Sequence, residues 1–374
     1  MRIAPFKIER FYAQYEFTAP YMLSSSDCES MTIGDLLAYE PGAAERFAQH
    51  WLGYTESQGA PELRAALAGM YETLTPDHLL VCAGAEEGIF ISMNALLTRG
   101  DHVIVHAPGY QSLHSVATSL GAEVSLWLTT DAENWELDLN WLADHIRPRT
   151  RMIVVNSPHN PTGYHMTPDK QRQIIDLARA HNLIVFSDEV YRGLEHDPQT
   201  RLPAAAELYE NALSLGVLSK AHGLPGLRIG WLATRNTEFF RKVAAFKDYT
   251  TICNSAPGEF LATIAARQHS ALSARCRALC LANLDLLDAF FARHTDLFTW
   301  QRPRANSTAF PRIHAPQGAE AFAIDVVQRA GVLLLPATTY DYGDRHVRVG
   351  FGRRNLPEAL ARFDEYLQRE PATR

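Results

Sequence analysis

The chain is 374 residues long, more than one hydrophobic core usually organises, so a large domain with a smaller companion is expected. With 47% hydrophobic and 21% charged residues, a net charge of −7 and dispersed basic residues, it has the composition of an ordinary soluble protein and no signature of nucleic-acid binding. No apolar stretch approaches the roughly 18 residues of a membrane span, the charged start MRIAPFKIERFYAQYEF lacks the apolar centre of a secretory signal, and five scattered cysteines point to reduced thiols in the cytoplasm.

In chain order, residues 1 to about 40 carry Glu9, Glu16, Asp27, Glu29 and the run Ser24-Ser25-Ser26, and are expected to pack on the smaller domain and the active site. Over 41–258, short apolar runs alternate with helix-like segments. The runs are Leu79–Cys82, Val103–His106, Val124–Leu128, Met152–Asn156, Leu183–Ser187, Leu213–Leu218 and Ile229–Ala233. That alternation predicts an α/β fold whose mostly parallel, seven-stranded sheet is covered by helices on both faces. From about residue 259 to Phe298 the pattern is helical. Two β-like segments, Gly331–Pro336 and His346–Gly350, and a helix from Leu356 complete a smaller α+β domain over 259–374.

Ligands of such sheets bind beyond the carboxyl ends of the strands, and the polar punctuation falls there. Gly84-Ala85-Glu86 follows the first run, Pro108-Gly109-Tyr110 the second, Asn156 to Gly163 the fourth, Asp188-Glu189-Val190-Tyr191 the fifth and Ser219-Lys220 the sixth. Lys220 is one of only five lysines; glycines follow it, and Arg228 lies eight residues on. A desolvated amine near fixed positive charge has a lowered pKa, which suits Schiff-base chemistry beside a phosphate. The other lysines (Lys7, Lys170, Lys242, Lys247) lie near the terminus or on charged helical stretches. Neither cysteines nor histidines show ligand spacing, so no metal is expected. Taken singly, Asp188 reads as a helix cap, the NPTG of Asn160–Gly163 as a turn and Tyr110 as a core aromatic. Their succession at strand ends argues for a site.

In that succession the chain, from about residue 50 to 350, resembles the fold-type I, pyridoxal-phosphate-dependent class I/II aminotransferases. The resemblance implies that Lys220 forms the Schiff base with pyridoxal 5'-phosphate and later moves the substrate's Cα proton. It places Asp188 on the ring nitrogen, Asn160 and Tyr191 on the phenolic oxygen, and Tyr110 against the ring. Gly84, Ala85, Glu86, Ser219 and Arg228 are assigned to the phosphate, although Val217 stands where the family often keeps a hydroxyl. Arg348, between valines on a predicted strand, is matched to the arginine that forks onto the substrate α-carboxylate. Tyr54 and Asn254 match residues that border a neighbouring subunit's site, so a homodimer with shared active sites is implied. The substrate is then a small amino acid, with no nucleic-acid or membrane partner.

A narrower likeness comes from Ile8–Leu37, the stretch DYTTICNSAPGEFLA and Thr308-Ala309-Phe310-Pro311-Arg312. These are similar to capreomycidine synthase and related cyclases of hydroxylated arginine. No arginine lies between Asp248 and Glu259, where enzymes for dicarboxylic substrates usually place one. Glu9, Ser25 and Asp27 are candidates for binding a guanidinium, against a reading in which the terminus is simply solvated. The family's common reaction, transamination, is the expected activity. The alternative is a cyclase or dehydratase acting on a hydroxylated arginine. A binding module on the same fold would have lost Lys220, which is present.

Overall fold

In the computed structural model, which describes residues 2–369, the seven apolar runs form one sheet. Its strands are β1 (Leu79–Cys82), β2 (His102–Ala107), β3 (Glu123–Leu128), β4 (Thr150–Asn156), β5 (Ile184–Asp188), β6 (Ala212–Val217) and β7 (Gly230–Ala233), in the order β1-β7-β6-β5-β4-β2-β3. Neighbours from β3 through β6 are parallel, whereas β7 runs antiparallel to both β1 and β6. Strands buried on both faces need near-continuous apolar sequence, and β2, β5 and β6 are buried at every position. β3 differs from the expected covered strand. It is an edge strand, and Leu126 and Leu128 are exposed there.

Beyond the sheet, Ser255 caps the helix Ala256–Arg267 by accepting the Gly258 N–H, and the 25-residue helix His269–Arg293 follows. The small strands β8 (Phe298–Thr299), β9 (Thr308–Ala309), β10 (Arg312–Ile313), β11 (Leu335–Pro336) and β12 (Val347–Gly350) make two short antiparallel sheets, with β12 between β11 and β9. Four of these strands have only two residues, too few to show a period of two in sequence. The closing helix, Leu356–Arg369, buries Leu356, Leu360, Phe363 and Leu367 on one face.

The N-terminal segment takes its course from two glycines. After the helix Lys7–Tyr15, which buries Ile8 and Phe11, the chain runs along the end of β12. Gly350 donates its N–H to Leu23 O at 3.1 Å, and Glu29 donates to Gly352 O at 2.7 Å. A methyl at Gly350 would overlap the Ser25 carbonyl, and one at Gly352 would sit 2.7 Å from Asp27 O. Only glycine admits so close an approach of backbone to backbone.

One lysine on a charged helical stretch, as expected, turns inward. Lys247 ends the helix Thr237–Lys247 fully buried, its Nζ donating to Ser57 O at 2.8 Å and Ile252 O at 3.0 Å. Those carbonyls satisfy the ammonium that burial would otherwise penalise. All five cysteines are free thiols. Among the described residues, no helix is long and apolar enough to cross a membrane, and no three His, Cys, Asp or Glu side chains are grouped to hold a metal ion.

Candidate active site

Register sets the site. Asn156 pairs with Asp188, Asp188 with Leu215, and Gly230 with both Val217 and Cys82. The ends of β1, β4, β5 and β6 therefore share one edge, and the residues that follow them converge. Gly230 matters because a Cβ there would lie 2.8 Å from Gly84 C and 3.0 Å from Ala85 N. Its absence lets the helix Gly84–Leu96 start directly against β7. The Asn156 side chain joins two loops, donating to Asp188 O at 2.9 Å and accepting the Asn160 N–H at 2.8 Å.

A cavity of about 480 Å³ opens on this edge. Ala85, Glu86, Tyr110, Asn160, Asp188, Tyr191, Ser219, Lys220, Arg228 and Arg348 line it, with Glu9, Ser25 and Asp27 facing them from the N-terminal segment. Gly84 stays outside the lining but packs under Arg228, where a Cβ would be 2.6 Å from Nη2. Tyr54 and Asn254 do not line it. Tyr54 is 88% exposed, and Asn254 is buried with its Oδ1 unpaired.

Lys220 Nζ donates to Ser26 Oγ at 2.8 Å and lies 5.9 Å from the Tyr191 ring centre. Burial pulls its pKa below the usual lysine range, Asp27 opposes that pull, and the Arg348 guanidinium adds to it. Asp188 closes β5 with Oδ1 accepting the Val190 N–H at 3.2 Å. Burial pushes its carboxyl up to about 7, against the pull of that hydrogen bond and of Lys220. Burial likewise pushes Glu86 up to about 7, and its Oε2 is buried without a partner. Arg348 is held on every side. Nε and Nη2 donate to Ser24 O at 3.0 and 2.8 Å, Nη2 to Tyr12 Oη at 2.5 Å, and Nη1 to Tyr340 Oη at 2.6 Å and Asn160 Oδ1 at 3.2 Å.

The donor set fits an aldehyde cofactor with a basic ring nitrogen and a phosphate. Asp188 is a buried carboxyl that a protonated nitrogen would ionise. The Asn160 Oδ1 is occupied by two donors, Arg348 and Tyr340, so its amide N–H groups are the ones left to meet an oxygen. The Ser219 hydroxyl is buried with no partner. It lies with the first turn of a 13-residue helix and the Arg228 guanidinium, a combination that favours an anion.

Five further residues at the site carry no sequence motif. Ser26 meets Lys220; Tyr12 and Tyr340 clamp Arg348; Glu16 and Arg353 line the cavity. The spacing Gly350-Phe351-Gly352 after the Arg348 strand was the available signal that another backbone lies close by.

The fold and the donor set of the site fit an enzyme that works through an aldehyde cofactor. Residues 23–363 match the family described as aminotransferase class I and II, and the chain belongs to that pyridoxal-phosphate-dependent family. Capreomycidine synthase of Streptomyces vinaceus is 30% identical over 365 residues, covering 96% of this chain and 93% of that one. A PLP-dependent aminotransferase from Streptococcus suis superposes with a TM-score of 0.93 at 30% identity, over 99% of both chains. The PLP-dependent cyclase OrfR superposes with a TM-score of 0.90 at 28% identity, over 99% of this chain and 98% of that one.

Proposed function

We propose that this enzyme is a pyridoxal-phosphate-dependent cyclase acting on a hydroxylated arginine-like amino acid. The observation that carries this is the unbalanced charge of the cavity. Glu9 and Glu16 line it, and neither forms an ion pair with a cation of the chain among the described residues. The cations present have other tasks. Arg353 is paired with Asp27 at 2.7 Å, Arg348 suits the substrate carboxylate, Arg228 a phosphate and Lys220 the aldehyde. What the cavity lacks is a cationic side chain, and a planar guanidinium meets carboxylates with two hydrogen bonds at once. The likeness to capreomycidine synthase and to OrfR favours cyclisation over transamination, the activity expected from the family at large.

Lys220, Asp188, Asn160, Tyr191, Tyr110, Ser219, Arg228 and the turn at Gly84–Glu86 would hold pyridoxal phosphate, which supplies an electron sink for charge developed at the substrate's Cα. Arg348, whose N–H groups are taken by Ser24, Asn160, Tyr340 and Tyr12, would orient the amino acid by its carboxylate as the Tyr12 and Tyr340 hydroxyls give way to it. Lys220 Nζ, with its lowered pKa, takes the Cα proton, and Ser26 Oγ positions that nitrogen. The N-terminal segment lines the cavity opposite the sheet edge with Glu9, Ser25 and Asp27. The overall change balances without an amino acceptor. One C–O bond breaks at the hydroxylated carbon, one C–N bond forms from the guanidine, and a guanidine proton leaves with the hydroxyl as water.

The test is to mix the cofactor-loaded enzyme with one equivalent of γ-hydroxy-L-arginine and no keto acid. A product lighter by one water, with the cofactor spectrum restored at the end, is the expected result. A keto acid with the cofactor left in its amine form would establish transamination instead, the second reading, which the likeness to the Streptococcus suis aminotransferase supports. We further propose that two copies pair through the face bearing Trp51, Leu52, Tyr54, Tyr249 and Ile252, all exposed apolar side chains. Lys247 ties together the two loops that carry them. The five free thiols fit a reducing compartment, the cytoplasm.

A further inference from the structure

Within the acidic half of the cavity one cation is placed unlike the others. Arg353 follows directly on Gly352, and its Nη2 meets Asp27 Oδ2 at 2.7 Å. The pair is only partly buried, at 30% and 16% side-chain exposure. The Arg353 Nε is buried and makes no hydrogen bond, so the guanidinium is held by one end. Its backbone, by contrast, is fixed. Asn283 Nδ2 donates to Arg353 O at 2.7 Å and to Phe351 O at 2.9 Å, and Gly352 lies against the backbone of Asp27 and Cys28. Only the side chain has freedom.

That side chain stands between two spaces. It lines the inner cavity with Lys220 and Asp27, and also an outer groove of about 500 Å³ shared with Glu16, Ser25 and Glu29. Glu16 faces both spaces, and Glu29, which accepts the Arg354 N–H at 3.1 Å, faces the groove beside Arg354, so carboxylates lie on the outer side of Arg353 as Asp27 does on its inner side.

We propose that Arg353 is a specificity-determining residue: in the free enzyme it holds, on Asp27, the place that the guanidinium of the substrate takes on binding. The inference rests on the reading of a cationic substrate given above. Without Arg353, Asp27 would stand unpaired in a cavity that already holds Glu9 and Glu16, a costly arrangement for partly desolvated like charges. With Arg353 the carboxylate is always paired. An entering guanidinium displaces Arg353 toward Glu16 and Glu29, and one ion pair is exchanged for another of the same geometry. A neutral side chain offers Asp27 nothing and leaves Arg353 in place. The opposite role, Arg353 as the direct partner of an acidic substrate group, predicts the opposite response to its removal.

The experiment is a spectral titration of the cofactor-loaded enzyme with L-arginine and with L-norleucine, for wild type, Arg353→Gln, Asp27→Asn and the double variant. Cofactor loading of each variant serves as the folding control. Arg353→Gln is expected to tighten L-arginine binding about fivefold, the upper end for an exposed ion pair, and to leave L-norleucine unchanged. In the Asp27→Asn background the same substitution is expected to leave the arginine-to-norleucine ratio where it was, because the competition runs through that carboxylate. Weaker arginine binding in Arg353→Gln, an equal change for both amino acids, or an undiminished gain without the Asp27 carboxylate would overturn the exchange. A wild-type enzyme with no preference for arginine over norleucine would sink the cationic-substrate reading and the exchange with it. A clear wild-type preference that Arg353→Gln leaves unaltered would sink the exchange alone.

Discussion

The cavity has two walls made in different ways. The inner wall is the carboxyl edge of the large sheet, where Asp188, Asn160, Lys220 and the Gly84–Glu86 turn each follow a strand buried along most or all of its length. The outer wall is Lys7–Glu29 laid across Arg348 and the two glycines of β12's end. The inner wall takes its precision from sheet register, which a shift of one residue would invert for every side chain. The outer wall depends on a few backbone bonds and on contacts whose sequence separation exceeds 300 residues, as between Tyr12 and Arg348. The first wall suits chemistry common to a family, whereas the second suits the choice of substrate, because it can change without disturbing the sheet.

The largest expected effect tests the inner wall. Lys220→Ala removes both the anchor and the base, and turnover should fall by at least about 10⁴-fold, measured as product per active site in single-turnover reactions. The fold should persist, since the lysine opens on the cavity and supports no core cluster. Residual activity within tenfold of wild type would place the chemistry elsewhere.

Gly350→Ala tests the outer wall. The added methyl meets the Ser25 carbonyl, so Leu23–Glu29 must lift from β12 at a cost of about 1–3 kcal/mol. A lowered Tm is expected, together with a raised KM for the amino acid and little change in cofactor affinity. If cofactor binding and KM suffered equally, the two walls would not be separable in the sense argued here.

A smaller effect concerns Asp188 in protein stripped of cofactor. Its folded pKa, about 7, lies above the unfolded value. The folded state therefore binds the extra proton between the two, and the Asp188 contribution to stability falls as pH rises through that window. Asp188→Asn should gain Tm relative to wild type from about pH 4 up to about 7, then hold a constant difference. Rebinding the cofactor to wild type should cancel the disadvantage. A difference independent of pH would mean that Asp188 is ionised throughout.

How much could be read in sequence follows the same division. Seven strands were legible because each is a short apolar run bounded by glycine, proline or polar residues, and the polar residue after each run falls at the sheet edge by construction. Arg348 was legible through its flanking valines. Ser26, Tyr12, Tyr340 and Arg353 were not, since what places them is the approach of distant backbones, which leaves no period behind. Glu9 and Asp27 read equally well as solvated acids, and their position in the cavity comes from the course of the N-terminal segment over Gly350 and Gly352. The burial of Lys247 is not legible, because a charged residue at a helix end looks the same in sequence whether it faces water or two buried carbonyls.

The central claim is that the outer wall selects a cationic side chain by its carboxylates, Glu9 and Glu16 among them. The most direct measurement compares binding of L-arginine with that of L-citrulline, its neutral isostere, to the cofactor-loaded enzyme and to the Glu9→Gln/Glu16→Gln double variant. The account predicts that wild type favours arginine by at least about tenfold, as charge-assisted hydrogen bonds of about 1.5–3 kcal/mol require, and that the double variant loses most of that preference while keeping its cofactor. Equal binding of the two amino acids by wild type, or a preference untouched by the double substitution, would contradict it.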